Sequence, residues 1–134
     1  MDTYEVALSG GDSGEVLRLH SEFEGEDDCA LTAHFRGSVI RRVNADFFGC
    51  LCDVRLELER VGVIPICYGA SENVFPSRMA RDMGAGLRAY KLTLGVHAKL
   101  SDLVGIFQSG SDVVPATVAA QRAWYEKWTR HPRL

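Results

Sequence analysis

Residues 44–61 constrain the fold most. Phe47, Leu51, Val54, Leu58 and Val61 recur at alternating steps of four and three, which sets them on one stripe of an α-helix. Phe48, Cys52 and Leu56 add a flanking apolar row, while Arg55 and Glu59 fall one turn apart on a face expected to be wetter. Asn44 or Asp46 can cap the start, and Gly62 stands where a left-handed residue closes the end. A helix with so broad an apolar face needs a sheet to lie on.

The flanking sequence supplies one. Residues 4–8 and 15–23 read as strands joined by a glycine-rich turn at 9–14. After a turn at 25–28, Cys29, Leu31, Ala33 and Phe35 alternate with Ala30, Thr32, His34 and Arg36, the pattern of a half-buried antiparallel strand that Gly37 ends. Residues 63–69 read as a further strand, which Pro65 confines to a sheet edge, a strand start or a bulge because it has no N–H to give the ladder. Strands follow at 87–94 and 102–107, and a second helix at 115–130 with Thr117, Ala120, Trp124 and Trp128 on one stripe. Both tryptophans and Tyr125 are expected to dock on the sheet. The order β-β-β-α-β-loop-β-β-α predicts a single α+β domain over 1–134, a mainly antiparallel sheet packed by two amphipathic helices.

With 134 residues, 46% of them hydrophobic, the chain can bury one core without disulfides or metals. No apolar run approaches the roughly 20 residues of a membrane span, and the first residues lack a basic n-region and apolar stretch, so no membrane association and a cytoplasmic location are expected. Cys50 and Cys52 are two apart on the helix and point away from each other. With no C-x-x-C and no paired histidine motif, the four cysteines read as buried thiols, with no metal and no cofactor.

Charge is unevenly spread. The net is −3, yet in residues 1–35 nine carboxylates face only Arg18, a net of −8, while the remainder sets fourteen basic residues against nine acids, a net of +5. Glu22, Glu24, Glu26, Asp27 and Asp28 crowd one strand end and turn, either as a solvated hairpin tip or as a surface for a cationic protein partner. Nucleic acid is not expected, since the basic residues are scattered and the aromatics sit at core-like positions.

Residues 69–86 are the least regular stretch. Tyr68, Arg78, Arg81 and Arg88 around its glycines offer an alternative small-anion site, for a binding protein or an enzyme. Against this, no complete nucleotide-binding motif is present, and residues 77–83 also read as a short helical turn with Met79 and Met83 tucked into the core. No serine or cysteine stands in a nucleophile signature, His20 and His34 lie on neighbouring strands from which they could approach each other, nothing local selects a histidine as a base, and no catalytic residue is assigned.

The run CYGASENVFPSRMARDMGAGLRAYKL at 67–92, with DLVGIF at 102–107 and PATVAAQRAWYEKW at 115–128, resembles small bacterial immunity proteins encoded beside polymorphic toxins of the Rhs or contact-dependent type. That resemblance lies wholly C-terminal to Gly62. It implies a protein without catalytic residues that binds and neutralises a cognate toxin domain. The acidic segment would then face a basic toxin, and the patterned half would hold the fold.

Overall fold

In the computed structural model, which describes residues 2–133, β1 (Asp2–Ser9), β2 (Val16–Glu24), β3 (Asp28–Phe35) and β4 (Ser38–Asn44) form an antiparallel meander. β5 (Ile64–Pro65) joins the far edge of β1, giving the order β4-β3-β2-β1-β5. Pro65 therefore stands on an edge strand, as its missing donor requires. β4 is an addition to the sequence reading. The β3–β4 hairpin turns on Arg36 and Gly37, both at positive φ (51° and 77°), as a tight two-residue turn requires, and the adjacent Arg41 and Arg42 mask the alternation that follows.

One face of this sheet is apolar. Val6, Leu17, Leu19, Cys29, Leu31, Ala33 and Phe35 are buried against α1 (Phe47–Glu59). Asp46 is the N-cap, accepting from the Gly49 N–H at 2.6 Å. The other face, with Glu5, Arg18, His20, His34 and Arg41, is open to solvent. His34 lies opposite Arg18 rather than His20, which instead hydrogen-bonds Thr3 Oγ1 at 3.2 Å.

α1 is more deeply enclosed than its stripe predicts. Across it from the large sheet lie β6 (Val74–Phe75), β7 (Arg88–Lys91) and β8 (Leu103–Gly105), which form a second antiparallel sheet in that order, and α3 (Val118–Arg130). Phe48 meets Phe75 edge-on, and Phe75 stacks on Tyr125 at 4.0 Å between centroids. The Trp128 indole N–H donates to the Thr93 carbonyl at 2.9 Å. The aromatic side of α3 thus docks on the smaller sheet and the segment after it.

Enclosure on two sides reverses the expectation for Arg55. It is 1% exposed and donates to the carbonyls of Gly69 (3.0 Å) and Ala116 (2.9 Å) and to Gln121 Oε1 (2.6 Å). Gln121 Nε2 in turn donates to the carbonyls of Gly69, Ser71 and Val74. This knot satisfies buried carbonyls of the irregular segments around residues 69–71 and 116 and that of Val74 at the start of β6. Burial lowers the Arg55 pKa, opposed by the nearby Cys52 and Cys67 sulfurs. Leu56 and Val61, expected on the apolar rows, are instead exposed. The domain is a single small α+β unit, with two antiparallel sheets and three helices rather than one sheet and two.

Candidate functional site

The acidic run divides into two parts. Glu22 and Glu24 lie on the open face of β2, where Arg41 of β4 pairs with both and His20 Nε2 stands 3.8 Å from Glu22. The Arg41 pairs are partly exposed and of small energetic weight, yet they offset one of the two carboxylate charges there. Glu26 and Asp27 sit in the β2–β3 turn and Asp28 begins β3, all three exposed. No ion pair engages them among the described residues.

Phe23 belongs to the inward face of β2 but lies beyond most of the helix. Its ring meets the edge of Phe47, at 5.5 Å, and it stays 68% exposed. Beside it stands α2 (Arg78–Gly84), capped by Ser77, whose hydroxyl accepts from the Ala80 N–H at 3.0 Å. Arg81 ties α2 to the start of α1, donating through Nε to Asp46 Oδ2 at 2.7 Å with its guanidinium over the Phe48 ring. The Phe47 N–H donates to the Ala85 carbonyl at 2.8 Å. These bonds hold the inner side of α2, so Met79 and Met83 face outward, 69% and 83% exposed, and are not core residues as the short helical turn implied. Helical spacing alone leaves open which way such a pair points.

Between hairpin tip and α2 runs a groove of about 490 Å³, lined by Phe23, Glu26, Asp27, Asp82 and Met83 among others. Its one arginine, Arg81, is already committed to Asp46. The groove therefore offers two exposed large apolar side chains, Phe23 and Met83, inside a rim of carboxylates. In the sequence Phe23 is simply the apolar residue between Glu22 and Glu24; its exposure follows from where α1 begins.

The structure does not gather Tyr68, Arg78, Arg81 and Arg88. The Tyr68 hydroxyl donates to Asp112 Oδ1 at 2.6 Å, and Lys91 also reaches Asp112, at 3.2 Å. Hydrogen bonds from Tyr68 and Lys91 lower the Asp112 pKa, and the same bond raises that of Tyr68. Arg78 pairs with Asp82 at 3.6 Å, Arg81 with Asp46, and Arg88 lies exposed on β7 beside other grooves. Among the described residues no group of His, Cys, Asp and Glu side chains is arranged to hold a metal ion, and no helix is long and apolar enough to cross a membrane. No protein-family model matches the chain, and no curated protein matches it either.

Proposed function

We propose that the chain is an immunity protein that binds and neutralises a cognate bacterial toxin domain of the Rhs or contact-dependent type, using the β2–β3 tip and α2. The observation that carries this reading is the acid-rimmed groove with Phe23 and Met83 exposed inside it. Large apolar side chains at the centre of a charged rim are what a protein interface needs. The anchors supply binding energy once desolvated, and the rim selects the partner and speeds encounter. A carboxylate rim favours a basic partner, as a toxin domain acting on nucleic acid would be.

The test uses the toxin domain encoded beside the chain's gene. Replacing Glu26, Asp27 and Asp28 together by Ser or Asn should slow association roughly tenfold and flatten its salt dependence. Phe23→Ala and Met83→Ala should instead speed dissociation. Failure of the unaltered chain to rescue cells from that toxin rejects the immunity reading. Rescue with unchanged rate constants in all of these variants moves the interface elsewhere.

A further inference from the structure

β1 is paired along one side from Asp2 to Ala7, but on its other side β5 meets only Leu8 and Ser9. The Ile66 N–H donates to the Ala7 carbonyl at 2.8 Å, after which the chain turns away at Tyr68. In an antiparallel strand the N–H and C=O of one residue point to the same side, and successive residues alternate. The Ala7 bond therefore sets the parity: Ala7, Glu5 and Thr3 present their backbone groups outward, and Val6 and Tyr4 present theirs to β2. Among the described residues, the Ala7 N–H and both backbone groups of Glu5 have no partner on this side.

Beside the open edge lies a groove of about 600 Å³, walled by residues 5–7 and by residues 107–109, with Ile66 at the β5 end. A second groove of about 360 Å³ continues past Tyr4, whose ring packs on Phe107 at 4.6 Å. The other open edge, β4, is blunted by Arg41 and Arg42, both engaged with glutamates.

We propose that the β1 edge takes an extended segment of a second protein, laid antiparallel to β1 in line with β5, with a basic side chain opposite Glu5. Outward N–H and C=O groups at alternate residues are matched only by extended backbone. Segment side chains on the inner face would fill the groove between residues 5–7 and 107–109. A second copy of this chain is a poor occupant. The fullest two-fold pairing of two β1 edges sets Glu5 against Glu5, and like charges directly opposite are destabilising. A Lys or Arg there meets a carboxylate whose only ion pair among the described residues is an exposed one, to Arg18 at 3.4 Å. The proposal is independent of the toxin-binding reading, which uses the other end of β2.

The test pans a phage-displayed library of random decapeptides on the full chain and follows amide exchange in the complex. Recovered peptides should carry a Lys or Arg flanked by apolar residues, and should slow exchange at Glu5 and Ala7, whose amides are fast in the free chain. Ala7→Pro removes an outward donor and should weaken binding about tenfold, with the β1–β2 amides of Tyr4 and Val6 still protected. If that variant fails to fold, Glu5→Lys carries the test: panning on it should recover acidic peptides. No enriched peptide, binding that leaves the Glu5 and Ala7 amides fast, or a dimer of the chain sealing this edge would each overturn the proposal.

Discussion

Arg55→Met tests whether the buried guanidinium holds the domain together or burdens it. Methionine keeps most of the volume but withdraws the donors. The Ala116 carbonyl and Gln121 Oε1 lose their Arg55 bonds, whereas the Gly69 carbonyl keeps its bond from Gln121. A stranded buried acceptor costs about 1–3 kcal/mol, so two cost roughly 2–6 kcal/mol. Opposing this, the native residue buries a charge with no carboxylate bonded to it and leaves its own Nε without a partner, a penalty the variant removes. We expect the stranded acceptors to win, with a net loss of about 2–4 kcal/mol and a Tm lower by roughly 10–15 °C. Urea unfolding followed by circular dichroism measures it, and Arg55→Met/Gln121→Met should lose less than the sum of the single changes, because each leaves the other without its partner. Amides at the start of α3 should also exchange faster, since Arg55 holds Ala116 just ahead of that helix. A variant as stable as the parent, or more so, would show that desolvation outweighs the bonds.

Burial pushes the Cys50 thiol up to about 12 and Cys67 to about 11, from an ordinary value of 9.0. Both keep their protons in the fold while the unfolded chain would release them, so this contribution is complete below pH 9.0 and is lost as pH rises towards 11 and 12. Urea midpoints should accordingly fall on the alkaline side, less so for Cys50→Ala, and native Cys50 and Cys67 should resist a thiol reagent until the chain unfolds. Asp46→Ala removes a helix cap and the anchor of Arg81 together, a loss of about 2 kcal/mol by thermal melting. Its Met79 and Met83 methyl resonances should show that α2 has loosened; unchanged resonances would place the hold on α2 elsewhere.

Local pattern was a good guide wherever one element faces one environment. The alternation of Cys29 to Phe35 and the cap at Asp46 describe backbone that is stabilised within the element or by its immediate neighbour, whereas Thr117, read as part of the stripe of the last helix, is in fact its N-cap. Pattern failed where two surfaces meet one element. Arg55 belongs to the wet side of a helix with one buried face, but α1 has two. β4 was hidden by two arginines that suit it because both reach glutamates on neighbouring elements. The acidic run was legible as composition; its division into a part paired with Arg41 and a tip without ion pairs among the described residues depends on Arg41 arriving from β4.

Sequence by itself determined the α+β class, the main helix and the alternating strand before it, and narrowed the cap to Asn44 or Asp46 and Pro65 to a sheet edge, a strand start or a bulge, because periodicity, capping chemistry and a missing donor act over a few residues. Tertiary structure alone decided that Met79 and Met83 face outward, that Phe23 is left uncovered beside free carboxylates, and that β1 keeps an open edge. Each depends on where a distant element stops: α1 begins too late to cover Phe23, Asp46 holds the inner side of α2, and β5 ends after Pro65. Such endpoints are set by long-range contacts, which no local pattern encodes.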